Sequence, residues 1–331
     1  MNKILVFITS FIFVLFALTG CINKKSTVKG KVICLDPGHG GTEATDSYRV
    51  GPSGEREEWI NLRVALHLAK MLEKEGAKVI LTRSKDVPVE LSVRAKLAIE
   101  NKADIFISIH HNATADPEVN FPSIYFHANA SENLASIQMG KILAKSFRNN
   151  FFSTDAPACL ISDHVIFPGS GTRVLRDSYG IPGVIGEASF FSNSEEESRL
   201  KDEEYNRKEA ESYLIAIKEY FSQERKKVLP KYSRIKLSEF NVFQEAERMD
   251  STALLWHDDY LNAKRLAELD NADSLILAEK LLVRSVTSFP DSWIGGEVHI
   301  KRSEVLRKLG FDGKADTALL RAKEHYILIN N

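Results

Sequence analysis

An alternation of apolar runs with amphipathic stretches constrains the fold of this 331-residue chain more than any other feature. Three short runs rich in Val, Ile and Leu have the composition of buried strands, at 32–35, 78–83 and 104–109. Between them, residues 56–75 and 91–101 carry apolar side chains at helical spacing. Because helices separate the strands, the strands are expected to be parallel. We predict an α/β fold whose mostly parallel, twisted sheet is flanked by helices, as in phosphorylase/hydrolase-like folds.

The same pattern continues to about residue 222, so we place the α/β domain at 31–222. Two further strands and two further helices are expected, at 123–128, 183–188, 131–149 and 194–223. The segment 150–176 is rich in proline and glycine and follows no regular pattern. It precedes the last strand, where it could shape a substrate groove.

The C-terminal third has no strand signal and is predicted to be a small all-helical domain at 239–331, after a charged linker at 223–238. Its helices are expected near 239–268, 272–288, 293–309 and 312–329. The spacing of Ala278, Leu282, Ser285 and Pro290 resembles the second helix of a tetratricopeptide unit, although the next unit does not repeat it. Packing and binding of a protein partner are both open roles for these helices.

The first 21 residues have the pattern of a targeting segment. Lys3 precedes an almost wholly apolar run at 4–18, which is shorter than the roughly 20 residues of a membrane span. The run suits a signal peptide, and the Leu-Thr-Gly-Cys at 18–21 resembles the lipobox of bacterial lipoproteins. That resemblance implies a lipid anchor at Cys21, a tether at 22–30 and a location in the cell envelope, outside the cytoplasm. An ordinary secretory signal with a chance cysteine is the alternative.

Charge and cysteine content exclude two other classes of protein. A net charge of -1 provides no general attraction to nucleic acid, so no nucleic-acid partner is expected. The three cysteines are too few for a disulfide framework. We expect Cys34 to be a small core residue that is not bonded to Cys159.

Residues of metal-ligating type follow the predicted strands. His39 lies in a tight loop at 36–41, D-P-G-H-G-G, directly after the first strand. His110 ends the third strand, and Glu187 follows the apolar pair of the last one. The carboxyl ends of parallel strands meet at one edge of a sheet, so these three side chains are expected near one another. A lone histidine in a turn would otherwise be read as a solvated loop residue.

Three carboxylates at the start of the first helix, Glu55, Glu57 and Glu58, add acidic candidates. Each is also explained without a ligand, because negative charge is stabilised at a helix N-terminus. Two histidines and one carboxylate would leave a fourth position open for water, as in catalytic rather than structural zinc sites. The residues alone therefore indicate a zinc hydrolase and leave the choice among the three acids open.

Four separated blocks of the sequence resemble the zinc-dependent N-acetylmuramoyl-L-alanine amidases of the amidase-3 family, over about 31–221. The blocks are D-P-G-H-G-G at 36–41 with Glu57 and Asn61-Leu62, L-T-R at 81–83 with Asp86 and Arg94, D-I-F-I-S-I-H at 104–110 with Asn112, and Glu187 with Phe190 and Asn193. The order of the blocks along the chain makes the match specific. One departure is Ser189, where the family commonly has glycine.

This resemblance implies Zn2+ as the cofactor, with His39, Glu57 and His110 as its ligands. Glu187 matches the catalytic glutamate of the family. The implied reaction is hydrolysis of the amide bond between the lactyl group of N-acetylmuramic acid and L-alanine in the stem peptide. Peptidoglycan is then the expected partner.

Other residues near these positions receive lesser roles. We expect Asn112 and Asn193 to bind substrate. His111 stands where the family usually has a small residue and is expected to be a neighbour of the site rather than a ligand. Glu55 and Glu58 are expected to be surface charges.

Two other classes of function stay open at this point. One is an inactive, amidase-like module that binds the cell wall or regulates a partner. The other is a different zinc hydrolase of peptidoglycan, such as a peptidase or a deacetylase.

Overall fold

A computed structural model describes residues 27–41, 49–152, 157–244 and 246–329. The predicted signal peptide at 1–21, including Cys21, and the first part of the tether, at 22–26, lie outside the described residues. Within the described ranges, no helix combines the length and the apolar character needed to cross a membrane.

The described residues form one sheet of seven strands. The strands are β1 (Val32–Pro37), β2 (Lys78–Leu81), β3 (Ile105–Asn112), β4 (Ser123–Phe126), β5 (Cys159–Ser162), β6 (Gly183–Phe190) and β7 (Tyr326–Ile327). Their order across the sheet is β2-β1-β3-β6-β4-β5-β7. Neighbours pair in parallel except β4 with β6 and β5 with β7, which are antiparallel. The predicted α/β fold with a mostly parallel sheet is therefore confirmed.

Most helices agree with the sequence pattern, but the helix predicted near 239–268 was wrong in its first half: the α-helix begins at Trp256, after two 3-10 turns at Glu247–Met249 and Ser251–Leu255. The α-helices are α1 (Glu57–Lys74), α2 (Leu91–Glu100), α3 (Leu134–Ser146), α4 (Arg173–Asp177), α5 (Ser194–Leu200), α6 (Glu203–Ser222), α7 (Trp256–Glu268), α8 (Ala272–Ser288), α9 (Gly295–Lys308) and α10 (Asp312–His325). The single helix predicted at 194–223 is two helices. The chain breaks before α6 because the Asp202 side chain accepts a hydrogen bond from the Glu204 N–H at 2.9 Å and caps the new helix.

One face of the sheet is covered by α1, α3 and α6. Its core joins strand residues such as Leu35, Ile107 and Val184 to helix residues such as Leu68 and Tyr213. These side chains are fully or almost fully buried, so this face is a continuous apolar layer.

The opposite face is covered by α2, α4 and, over much of its area, the C-terminal helices. Phe106, Tyr125 and Ile185 of the sheet share one core with Trp256 and Phe289 of the C-terminal region. The C-terminal helices therefore bury their apolar faces directly on the sheet. The predicted domain division, with a linker at 223–238, stays a prediction.

The C-terminal region also contributes a strand, which the sequence pattern did not predict. The helix expected at 312–329 ends at His325, and β7 then pairs with β5 through Leu160 and Ile161. A two-residue strand is too short to show alternation in the sequence, which explains the wrong prediction.

The segment 150–176 was predicted to be irregular, and that prediction was wrong in part. It contains β5, a 3-10 turn at Asp163–Val165 and α4. Cys159 of β5 and Cys34 of β1 are buried and free, so the expectation that they are not bonded to each other is confirmed.

Candidate active site

The ends of β1 and β3 bring two imidazoles onto one carboxylate. His39 Nε2 lies 2.9 Å from Glu57 Oε2, and His110 Nδ1 lies 2.9 Å from Glu57 Oε1. The two imidazole rings are nearly perpendicular, with their centroids 4.7 Å apart. β1 and β3 are parallel neighbours, which places their carboxyl ends side by side, and Glu57 begins α1 directly beside them.

The loop that carries His39 is held by both packing and hydrogen bonds. A Cβ on Gly38 would lie 2.2 Å from atoms of the His110 ring, so the close approach of the two ligand-bearing segments requires glycine. Arg83 donates to the Gly38 carbonyl at 2.8 Å, and Arg94 donates to the His39 carbonyl at 2.5 Å. These contacts orient the His39 backbone, which has a φ of 56°.

Glu57 is buried and is held in its ionised form. Its Oε1 accepts hydrogen bonds from Asn61 Nδ2 at 3.1 Å and from the His111 N–H at 3.3 Å. Burial acts to raise the pKa of Glu57, but His39 and His110 outweigh burial and hold that pKa well below its ordinary value of 4.5. An ionised carboxylate between two imidazoles is a donor set that suits a divalent cation.

The geometry of this set fits zinc. One ligand atom each from His39, Glu57 and His110 lies within 4.8 Å of the others, so these three residues form a group that could hold a metal ion. Two nitrogen donors and one oxygen donor are typical of catalytic zinc, which keeps one further position for water or substrate.

Glu187 lies opposite His110 in the pairing of β6 with β3. Its Oε2 atom is buried and has no hydrogen-bond partner among the described residues. Burial, with the charge of Glu57 adding to it, raises the pKa of Glu187 well above its ordinary value of 4.5. A carboxyl group that holds a proton this readily suits the uptake and return of a proton during a reaction.

These four residues line one cavity of about 140 Å3. A second wall comes from the segment between β5 and β6, through Ile166, Phe167 and Thr172. A third wall comes from the C-terminal region, through Arg248 and Met249. The site is therefore a partly enclosed cavity at the carboxyl edge of the sheet rather than a flat surface.

The two asparagines predicted to bind substrate differ in position. Asn112 lines the cavity, where its Nδ2 donates to Tyr125 OH at 3.2 Å and to Asp291 Oδ2 at 3.0 Å. Asn193 caps α5 by accepting a hydrogen bond from the Glu196 N–H at 3.0 Å, and it is not among the described residues that line the cavity. A substrate-binding role for either side chain stays a prediction.

His111 is buried and lines the same cavity as the proposed ligands. Its Nδ1 lies 2.9 Å from Asn61 Oδ1, and its Nε2 lies 3.0 Å from Glu209 Oε2. Both ring nitrogens therefore already have partners, which agrees with its predicted place beside the ligands.

Glu55 and Glu58 were expected to be surface charges, but both are buried. Glu55 pairs with Arg63 at 2.7 Å, and Glu58 pairs with Arg56 at 2.5 Å. The prediction was wrong because nearby arginines neutralise these carboxylates, and a pattern of acids at a helix start does not reveal such pairs.

A second group of metal-ligating type, His127, Asp163 and His164, is buried within the part of the chain described here. Asp163 Oδ2 already accepts hydrogen bonds from His127 at 2.9 Å and from the N–H and hydroxyl of Thr172 at 2.8 and 2.7 Å. The Lys231 ammonium lies 3.0 Å from His127 Nε2. The positive charge beside this group thus comes from Lys231 rather than from a metal ion. We therefore assign the group a structural role.

Sequence reasoning missed Tyr125, Arg248 and Asp291, which surround Asn112 at the edge of the cavity. Arg248 and Asp291 come from the C-terminal region and belong to no motif. Their sequence neighbours give no signal that would select them, since Arg248 follows Glu247 and Asp291 precedes Ser292.

Comparison with known proteins gives a consistent result for the α/β part. A family model described as N-acetylmuramoyl-L-alanine amidase matches residues 33–219. The probable cell wall amidase LytH of Staphylococcus epidermidis is 33% identical over 195 residues, which are 59% of this chain and 60% of that protein. The amidase AmiC of Escherichia coli is 32% identical over 224 residues, covering 58% of this chain and 53% of AmiC.

A solved structure is similar as well. The CwlD amidase of Clostridioides difficile, determined in complex with the GerS lipoprotein, aligns with a TM-score of 0.51 and 27% identity, over 58% of this chain and 99% of CwlD. The chain spans 60% or less of the length of the two curated relatives above. Its C-terminal helices α7–α10 lie outside the matched residues. The extent of the family match shows that the chain belongs to the zinc-dependent amidase-3 family of N-acetylmuramoyl-L-alanine amidases.

Proposed function

We propose that this protein is a zinc-dependent N-acetylmuramoyl-L-alanine amidase of the cell envelope. It hydrolyses the amide bond between the lactyl group of N-acetylmuramic acid and L-alanine of the peptidoglycan stem peptide. The observation that carries this proposal is a buried, unpartnered carboxylate oxygen of Glu187 in the same cavity as His39, Glu57 and His110.

The side chains divide the work of the reaction. His39, Glu57 and His110 would hold the zinc ion, whose chemistry is to polarise the substrate carbonyl and to lower the pKa of a water molecule to about 7. Glu187 takes the proton from the attacking water and returns it to the leaving amine of L-alanine. The walls of the cavity hold the amide against Glu187.

The test compares Glu187→Gln with the wild-type protein on purified peptidoglycan sacculi. Glu187→Gln is expected to retain zinc, measured by metal analysis, and to lose about 1,000-fold in turnover, because general acid–base catalysis contributes roughly 10²–10⁴-fold. Glu203→Gln is the matched control, since the Glu203 side chain on α6 is 80% exposed.

The identity of the products separates the amidase from its alternatives. An amidase releases stem peptides with a free L-alanine amine and leaves the lactyl acid on the sugar. New termini within the stem peptide would support a peptidase, and release of acetate with a free amine on the sugar would support a deacetylase. Near-normal turnover of Glu187→Gln would remove Glu187 from its assigned role.

We also propose that Cys21 carries a lipid anchor, which the sequence Leu-Thr-Gly-Cys at 18–21 supports. Multiple acyl chains anchor a protein stably, whereas one chain alone binds a membrane marginally. Metabolic labelling with a fatty-acid analogue is expected to mark the wild-type protein and not Cys21→Ala. Labelling of both proteins would contradict the anchor.

A protein partner for the C-terminal helices is a further part of this proposal. Leu269, Ile276 and Leu277 support it, since they are 63%, 59% and 45% exposed although they are apolar. Co-purification of a partner that Ile276→Glu abolishes would support this role. Packing on the sheet is the alternative.

A further inference from the structure

The C-terminal region reaches the candidate active site through one short segment. Arg248 and Met249 belong to a 3-10 turn at Glu247–Met249 and line the cavity that contains Glu187. This segment lies outside the residues matched to the amidase family, 33–219. The cavity wall that it forms is therefore a feature of this chain rather than of the shared amidase core.

Hydrogen bonds hold this wall on the loop that follows β3. The Ala115 N–H donates to the Arg248 carbonyl at 3.3 Å. One residue further along this loop, Asp116 Oδ2 accepts a hydrogen bond at 3.2 Å from Nε1 of Trp256, the first residue of α7. Because β3 carries His110, the wall is fixed relative to the ligand-bearing edge of the sheet.

Asp291 fixes the guanidinium of Arg248. Arg248 Nη2 donates to Asp291 Oδ1 at 2.6 Å. The other carboxylate oxygen, Oδ2, accepts from Asn112 Nδ2 at 3.0 Å and from the hydroxyl of Tyr125. Asp291 is fully buried, and Arg248 lies over the ring of Phe289, 5.8 Å from its centroid. The guanidinium is thus held in one orientation before any ligand binds.

A buried ion pair at this position is not explained by stability. Removing two charges from water costs more than their attraction commonly returns, and apolar residues of similar size are often at least as stabilising. The side chain of Arg248 is 10% exposed, and that of Asp291 is 0% exposed. A positively charged side chain in the wall of this cavity is instead explained by a ligand with a negatively charged group.

The chemistry of arginine indicates the ligand. A guanidinium presents several N–H donors in one plane and matches a carboxylate with paired hydrogen bonds. The scissile amide is neutral and does not require a cation from the C-terminal region. Arg248 and Glu187 line the same cavity, so a group bound at Arg248 lies near an amide held at Glu187.

We propose that Arg248, oriented by Asp291, binds a carboxylate on the peptide side of the scissile bond and so determines which stem peptides are cleaved. This inference rests on the proposed amidase function and names one specificity-determining residue for it. The C-terminal region would then select the substrate, while the sheet edge carries out the reaction.

The experiment uses two synthetic substrates that differ in one group. Both are N-acetylmuramoyl-L-alanyl dipeptides, and the second residue carries a free main-chain carboxylate in one and a carboxamide in the other. We expect the full-length, zinc-loaded protein to prefer the carboxylate, measured as the ratio of the two kcat/KM values. Arg248→Met is expected to lower that ratio about tenfold or more, because hydrogen bonds to charged groups have this magnitude.

Two further variants complete the experiment. Arg248→Lys keeps the charge but loses the paired geometry and is expected to lie between the wild type and Arg248→Met. It also carries the test if Arg248→Met does not fold. Arg265→Met, on the exposed surface of α7, is the control, since its guanidinium donates to Asn262 Oδ1 at 3.2 Å and does not line the cavity within the described part of the chain. Its ratio is expected to match that of the wild type.

Each outcome decides the proposal. A wild-type preference for the carboxylate that falls in both Arg248 variants supports it. A wild-type protein that cleaves both substrates without preference would overturn the role of Arg248. So would a ratio that both Arg248 variants leave unchanged. In either case the proposed amidase function would stand. Cleavage of neither substrate by the zinc-loaded wild-type protein overturns the amidase function and this inference with it.

Discussion

The two faces of the sheet differ in which part of the chain covers them. The face under α1, α3 and α6 is built mostly from residues within the family match at 33–219, and the exceptions include Val28, the last residues of α6, Ile327 and Ile329. Much of the other face is covered by α7–α10, which lie outside that match. The proposed zinc ligands and Glu187 belong to the matched part, whereas Arg248 and Asp291 do not.

This difference shows that the C-terminal region is more than a neighbour of the amidase part. It buries an apolar sheet face, and β7 covers the edge of β5, which would otherwise present unpaired backbone groups. It also forms one wall of the reaction cavity. We therefore expect the two parts to unfold together while they contribute differently to chemistry and specificity.

The largest effect is expected from Phe289→Ala, which tests whether the second face forms one core. Phe289 is fully buried and contacts the rings of Phe121 and Trp256, from the two parts of the chain. The substitution should lower the free energy of unfolding by about 3–5 kcal/mol, measured by denaturant titration. Because the core is shared, one transition is expected for the whole protein.

Leu277→Ala is the matched control for this prediction. Leu277 is on the same region of the chain but is 45% exposed, so its loss should change stability by less than about 0.5 kcal/mol. Two separate transitions, of which Phe289→Ala shifts only one, would instead show that the C-terminal helices fold as an independent domain.

A second prediction places the metal site in the matched part alone. Glu57→Gln removes the anionic donor between His39 and His110, and we expect zinc affinity to fall by more than about 100-fold, since even indirect partners of ligands contribute 10–100-fold. Competition with a chelator of known affinity measures this change. Zinc affinity equal to that of the wild type would place the ion elsewhere.

The candidate site was predictable from sequence because its geometry follows from topology. His39 and His110 directly follow two strands, and strands joined by helices are parallel, so their carboxyl ends had to lie at one edge. Glu57 was selected among three neighbouring acids only through the family resemblance. The buried pairs of Glu55 and Glu58 depend on arginines that fold back locally, which spacing does not reveal.

The packing of the C-terminal region was not predictable in the same way. Helical spacing shows that a helix has an apolar face, but it does not show what that face contacts. The tetratricopeptide-like spacing around Leu282 therefore indicated helices and left their place on the sheet open. Asp291 connects to Asn112 across about 180 residues, and such a contact has no local signal.

A third prediction concerns the pH dependence of stability, through two buried histidines of the C-terminal region, His299 and His325. Burial, with Arg302 adding to it for His299 and Arg321 for His325, lowers both pKa values well below the ordinary value of 6.5. The folded protein therefore keeps these rings neutral where the unfolded chain takes up protons. Stability is fully present above pH 6.5 and falls as the pH drops below it, by at most about 1.4 kcal/mol per pH unit for each histidine.

The measurement is the free energy of unfolding at pH 7.5 and at pH 5.5. His299→Phe removes one titrating ring and should reduce the loss between the two pH values. The difference between variant and wild type cancels contributions from other groups, including the proposed zinc ligands. An equal loss in both proteins would show that His299 is already protonated in the folded state.

The smallest effect concerns Asn193, which follows β6 and for which two roles are predicted, capping of α5 and binding of substrate. Its oxygen caps α5, so Asn193→Ala should cost about 1 kcal/mol of stability, measured by thermal or denaturant unfolding. Asn193→Asp retains a capping oxygen and should remain close to the wild type in stability. If substrate binding is the main role of the amide, both variants should instead raise KM for muropeptides to a similar extent, because both lose the amide N–H donors. The pattern across the two variants, rather than either one alone, therefore assigns this residue to the fold or to the substrate.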